Sequence, residues 1–125
     1  MGKKKILVVD DEKFFTELLK SNLELAGQFE VRVENNAVKA ASSAREFNPD
    51  IILLDILMPG ISGYKVSDEL KNDELTRDIP VIFLTALATT EKTADKEVMV
   101  DNHPFIAKPI SINELIKNID KYARK

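Results

Sequence analysis

Three runs of four apolar residues, Ile6-Leu7-Val8-Val9, Ile51-Ile52-Leu53-Leu54 and Val81-Ile82-Phe83-Leu84, constrain the fold of this 125-residue chain more than any other feature. Each run is too short for a helix, is rich in β-branched or aromatic residues and lacks polar alternation. Each therefore reads as a strand buried on both faces. Strands of that kind belong to parallel sheets, whose connections are crossovers, usually helical. The intervening segments show helical spacing. Phe15, Leu18, Leu19, Leu23 and Ala26 share one face, and Gly27 stands where a left-handed stop belongs. Ala37, Ala40, Ala41, Ala44 and Phe47 repeat in the same way. Val66 and Leu70 mark a shorter helix after the Pro59-Gly60 turn. Ser111 caps a last helix that buries Ile112, Leu115, Ile116, Ile119 and Ala123, with Glu114 in the capping-box position.

Two further strands complete the pattern. Residues Phe29 to Glu34 alternate with period two, as an edge strand with one wet face does, and Phe105-Ile106-Ala107 forms a brief fifth strand. Thr89 to Val100 is the least patterned segment; Ala94, Val98 and Met99 give a narrow stripe, which reads as a polar fourth helix. The expected architecture is α/β: a doubly wound, five-stranded parallel sheet of order 2-1-3-4-5 with helices on both faces. It occupies residues 1–125 as one domain, with no separate output domain expected. Phe14, Phe15, Phe29, Phe47 and Phe83 are expected in packing roles, and His103 in an idle loop.

Composition removes several function classes. Cysteine is absent, which excludes disulfides, thiolate metal sites and cysteine nucleophiles. Eighteen basic against 21 acidic residues leave a net charge of −3, a poor match for direct nucleic-acid binding. No apolar stretch is long enough for a membrane span, and the basic start Met1 to Lys5 lacks the apolar region of a signal peptide. It reads as a solvated arm on a cytoplasmic protein.

In doubly wound sheets ligands bind beyond the carboxyl ends of the strands, at the point where the winding reverses. Here that point lies between strands one and three. Strand one ends in Asp10-Asp11 followed by Glu12, strand three in Asp55, strand four in Thr85-Ala86, and strand five is followed by Lys108-Pro109. Three neighbouring carboxylates raise one another's pKa values, and a hard divalent cation relieves the conflict. Mg²⁺ suits a small carboxylate set that leaves positions for water and phosphate. With the Lys108 ammonium and the Thr85 hydroxyl on the same rim, the set is equipped for phosphoryl transfer, toward which an Asp can act as nucleophile. Asp10 and Asp11 would also suit a helix start, but capping does not account for Asp55.

The chain resembles a response-regulator receiver domain of two-component signalling, a CheY-like family with a flavodoxin-like (βα)5 fold. The resemblance rests on Val8-Val9-Asp10-Asp11-Glu12, Leu54-Asp55-Ile56-Leu57-Met58-Pro59, Leu84-Thr85-Ala86 and Phe105-Ile106-Ala107-Lys108-Pro109. It implies that Asp55 accepts phosphate from the phosphohistidine of a sensor histidine kinase or phosphotransfer protein. It further implies that Asp11, Asp55 and the Leu57 carbonyl bind Mg²⁺ directly, with Asp10 acting mainly through water. Lys108, Thr85 and Ala86 would contact the phosphoryl group. Thr85 and Phe105 would be the switch pair, and Lys108-Pro109 a cis peptide. The signal would leave through the fourth helix, fifth strand and fifth helix to a downstream protein or a phosphorylation-dependent dimer. Asp101-Asn102-His103-Pro104 departs from the Gly-Ala pair common before the switch aromatic, and Phe105 lacks the hydroxyl of the commoner Tyr.

Two other functions use similar parts. A Mg²⁺-dependent phosphohydrolase with an aspartyl nucleophile usually carries a second acid two residues on; here Leu57 follows Asp55 at that spacing, and Glu12 follows Asp10. A flavodoxin-type nucleotide-binding module needs a loop rich in Gly, Ser and Thr after strand one, where this chain has carboxylates.

Overall fold

A computed structural model describes residues 2–85, 98–100, 103–108 and 110–124. The expected sheet is present: β1 (Lys4–Val9), β2 (Phe29–Glu34), β3 (Ile51–Asp55), β4 (Val81–Thr85) and a strand at His103–Ala107 run parallel. With β1 pairing to both β2 and β3, this is the 2-1-3-4-5 order. One strand is additional to the expected five. Val98–Val100, β5, pairs antiparallel with His103–Ala107, β6, and extends the sheet by one edge strand. Its β-branched residues favour a strand, and only Asp101-Asn102 separate it from β6, a gap short enough for antiparallel pairing. The end of the expected fourth helix is therefore a strand; the remainder of that helix, 89–97, lies outside the described residues. His103 falls in β6, not in a loop.

Alternate residues of the strands feed two cores. Leu7, Val9, Ile52, Leu54 and Phe83 pack with α2 (Ala40–Phe47) and α3 (Gly63–Lys71), and Phe105 joins this side. Ile6, Val8, Ile51, Leu53, Ile82 and Leu84 pack with α1 (Lys13–Leu25) and the C-terminal helix Ile112–Tyr122. Local signals set the helix ends. Ser62 Oγ accepts from Lys65 N–H and Ser111 Oγ from Glu114 N–H; Gly27, at φ +89°, follows the end of α1. A short 3₁₀ turn, Ala37–Lys39, leads into α2.

Three packing expectations need correction. The buried stripe of α1 is narrower than its periodicity suggests: Leu19 and Leu23 are buried with Thr16, while Leu18 is 51% exposed and Ala26 also faces solvent. Phe14 is 84% exposed, so it has no packing role within the described residues. Lys4 and Lys5 are not a solvated arm. They form the start of β1, opposite Phe29 and Glu30, and their ammonium groups donate to Arg124 O at 2.8 Å and Phe47 O at 3.3 Å.

Candidate functional site

Asp10, Asp11 and Asp55 come together at the carboxyl rim between β1 and β3. One carboxylate oxygen from each lies within 4.8 Å of the others. The placement follows from register: Val9 pairs with Leu54, so each strand delivers its acid at the next position. Asp10 and Asp55 are buried and Asp11 is exposed. The Asp10 Oδ1 accepts the Glu12 N–H at 3.0 Å, which turns the chain into α1.

Lys108 reaches this cluster from the end of β6. Its ammonium lies 2.7 Å from Asp10 Oδ2, 3.2 Å from Glu12 Oε1 and 3.7 Å from Asp55 Oδ1. The Phe15 ring sits beneath it, 4.4 Å from ammonium to centroid. Its backbone N–H donates to the Thr85 carbonyl at 2.9 Å, which links the ends of β4 and β6. Thr85 is 1% exposed at the last position of β4. Phe105 is buried one strand away, opposite Phe83. Ala86 and Pro109, and with them the cis-peptide expectation, lie outside the described residues.

The charges are unevenly matched. Burial first, then the Asp10 charge, push the Asp55 carboxyl up to about 6; Asp11 adds to this, while Lys108 and a hydrogen bond from the Leu57 backbone N–H work the other way. Burial alone would lower the Lys108 pKa. The hydrogen bond and charge of Asp10, the charge of Asp55 and the hydrogen bond to Glu12 overcome it, and Lys108 stays protonated above its ordinary value. Three clustered carboxylates, two of them facing one ammonium, fit a hard divalent cation: oxygen donors, excess negative charge, and one exposed ligand for entry. Glu12 is engaged with Lys108, and Leu57 is 56% exposed beside the acid cluster.

One contributor carries no motif signal in the sequence. Gly63 begins α3 against the backbone of β3's end: a Cβ there would overlap the Asp55 carbonyl oxygen and stand 2.8 Å from Ile56 Cα. Its N–H donates to Ile56 O at 2.8 Å. The helix can approach the end of β3 this closely only because the residue has no side chain.

The comparisons with known proteins converge on one family. Residues 6–120 match the family described as response regulator receiver domain. The chain is 40% identical to the phosphate regulon transcriptional regulatory protein PhoB of Pseudomonas aeruginosa over 98% of its own length and 52% of that protein. It thus spans about half of this relative. It is 36% identical to the polar-differentiation response regulator DivK of Brucella anthropi, with 95% of each chain covered. Among solved structures it is similar to the receiver domain of a sensor histidine kinase from Pseudomonas aeruginosa, solved with a magnesium ion coordinated in its active-site cleft. That match has a TM-score of 0.80 and 26% identity, covering 97% of this chain and 98% of the other.

Proposed function

Because the chain belongs to the response regulator receiver domain family, we propose that it is a phosphorylatable signalling switch whose phosphoacceptor is Asp55. The donor is the phosphohistidine of a histidine kinase or phosphotransfer protein, and the reader is a downstream protein in the cytoplasm. The convergence of Asp10, Asp11 and Asp55, with the Lys108 ammonium against Asp10 and Asp55, carries this reading.

With its pKa near 6, Asp55 is mostly carboxylate at pH 7 and able to attack. A carboxylate oxygen forms the bond to phosphorus as the donor's N–P bond breaks, and the electron pair of that bond leaves on the donor nitrogen. Asp11, Asp55 and the Leu57 carbonyl would hold Mg²⁺, with Asp10 acting through water; bound there, the ion would offset the carboxylate repulsion and the charge on the phosphoryl oxygens. Lys108 is placed to leave its contacts with Asp10 and Glu12 and meet the incoming phosphoryl group. Thr85, at the end of β4, donates its hydroxyl to the same group, and the Ala86 backbone contributes beside it.

The switch is a shift between two states that differ in these contacts. Phosphate draws Thr85 inward and Phe105 packs toward the space it leaves. The output surface is that of the expected fourth helix, β6 and the C-terminal helix, available to a partner protein or a second activated copy. Phosphorylation and slow self-dephosphorylation make this a switch, not a turnover enzyme.

Incubation with acetyl phosphate and Mg²⁺ should add one phosphoryl group by intact-mass spectrometry, and Asp55→Asn should abolish the addition. Equal labelling of the variant would remove Asp55 from its proposed role.

A further inference from the structure

Asp10 is fully buried, yet its polar atoms all have partners. Its carboxylate meets Glu12 N–H and the Lys108 ammonium, and its own N–H donates to Glu34 O at 3.2 Å. The remaining partner is Asn35, just after β2. Asn35 Nδ2 donates to the Asp10 carbonyl at 2.8 Å and to Thr16 Oγ1 at 2.9 Å. The amide orientation is set by that carbonyl, which can only accept. Thr16 is itself buried and passes the link on, donating to Lys13 O at 3.0 Å.

A single side-chain amide therefore ties the end of β1, the connection after β2 and the first turn of α1. The carbonyl it holds belongs to the Asp10–Asp11 peptide, the plane from which both acids project. Lys108 and Glu12 restrain the Asp10 side chain, but neither restrains this peptide.

We infer that Asn35 is a positioning residue for the acid cluster: it clamps the Asp10–Asp11 peptide to the first turn of α1, so that both carboxylates meet Asp55 in a cation-binding arrangement. This inference rests on reading the cluster as a Mg²⁺-dependent phosphoacceptor site. Asn35 acts through the backbone and touches no carboxylate oxygen of the cluster. An Asp in its place has no proton to give the carbonyl and adds a negative charge to the crowded rim. A Val in place of Thr16 keeps the shape and removes the hydroxyl that receives the second hydrogen bond.

The test is Mg²⁺ titration by calorimetry of the wild type, Asn35→Ala, Asn35→Asp, Thr16→Val and the Asn35→Ala/Thr16→Val double variant. Each is titrated where its unfolding curve in EDTA shows it folded. Asn35→Ala should weaken Mg²⁺ binding about tenfold, as loss of an outer-sphere partner does, and Asn35→Asp should weaken it more. Thr16→Val should cost about threefold, and the double variant should bind no worse than Asn35→Ala, since both changes break one link. A merely structural role would lower the unfolding midpoint and leave the affinity of the folded protein unchanged. Wild-type affinity in Asn35→Ala, or fully additive losses in the double variant, overturns the inference. Should Asn35→Ala fail to fold, wild-type affinity in Thr16→Val overturns it instead. If the wild type binds Mg²⁺ and is labelled on Asp55 while the variants bind normally, only the role of Asn35 falls; a wild type that binds no Mg²⁺ overturns both readings.

Discussion

The two ends of the sheet handle charge in opposite ways. At the amino end, Lys5 N–H donates to Asp50 Oδ2 at 2.8 Å and Asp50 N–H returns a bond to Lys5 O at 2.8 Å. The Lys4 ammonium caps the Arg124 carbonyl, and the Arg124 guanidinium reaches Pro49 O at 2.8 Å and Asn48 Oδ1 at 3.1 Å. Each charged group there meets a dipole or carbonyl, and the result fastens the end of the chain to the β1–β3 edge. At the carboxyl end, three carboxylates crowd one another and the Asp55 pKa is driven upward. The first arrangement serves folding. The second holds electrostatic repulsion that a cation can relieve, as is common where function competes with stability.

The largest effect that would break this contrast concerns Asp11. Asp11→Ala should weaken Mg²⁺ binding about a hundredfold or more, since a direct ligand counts for at least as much as an outer-sphere one. The metal-free protein should be as stable as the wild type or slightly more so, because a like charge has gone. Calorimetric titration and urea unfolding in EDTA check the two halves. A loss of metal-free stability would mean that the acids are structural, as at the opposite end.

Gly63→Ala should destabilise the fold by about 2–3 kcal/mol, because the methyl group meets the backbone of Asp55 and Ile56, which cannot yield as a flexible side chain could. The accompanying displacement of Asp55 should also slow labelling by acetyl phosphate. Normal stability in urea would show that α3 can retreat without cost.

The pH dependence sharpens the comparison further. Asp55 has a folded pKa of about 6 against 3.8 unfolded, so between those values the folded state holds a proton that the unfolded state has released. Its contribution to stability is full below pH 4 or so and is lost as pH rises through 6, roughly 3 kcal/mol in the metal-free protein. Asp73 has the opposite sign. The Leu75 N–H, and then Arg45, lower its pKa, so its contribution is present above the unfolded value and is lost as pH falls through the folded one. Comparing wild type with Asp55→Asn in EDTA from pH 4 to 7 isolates the Asp55 part. Parallel curves would show that burial of Asp55 does not oppose its charge. With Mg²⁺ added, the wild type should gain stability toward neutral pH, where the carboxylate is free to bind.

Much of this was legible in the sequence because it depends on local periodicity. Four-residue apolar runs specify doubly buried strands, and the residue after each run is carried to the rim by the parallel register. Asp10, Asp11, Asp55, Thr85 and Lys108 could therefore be placed on a common edge. What escaped depends on contacts between distant segments. Asn35 belongs to no motif, and its place becomes visible only once the Asp10 carbonyl is seen to be its acceptor. Gly63 looks like part of a loop until Asp55 lies against it. Periodicity marks the apolar side of α1 but not how much of it the sheet covers, so Leu18 and Ala26 belong to the apolar stripe and yet face outward, and Phe14, expected in packing, is exposed. Lys4 and Lys5 look like a terminal arm because their partners, Arg124 and Phe47, are far along the chain.

The smallest effect belongs to the amino end. Arg124→Ala removes the guanidinium bonds to Pro49 O and Asn48 Oδ1, while the Arg124 N–H bond to Asp50 O at 3.0 Å and the Lys4 bond to its carbonyl survive in the backbone. One partly buried and one exposed hydrogen bond with a charged donor, less what water restores, should cost about 1–2 kcal/mol in urea unfolding. Arg124→Lys should recover part of this, because one ammonium can reach one of the two acceptors but lacks the planar fork that serves both. Mg²⁺ affinity and labelling of Asp55 should not change in either variant, since the clasp and the acid cluster sit at opposite ends of strands whose buried interior does not transmit the loss of a surface hydrogen bond. A weakened Mg²⁺ site in Arg124→Ala would show that the two ends are mechanically coupled through β1 and β3, and that the division between a folding end and a functional end does not hold.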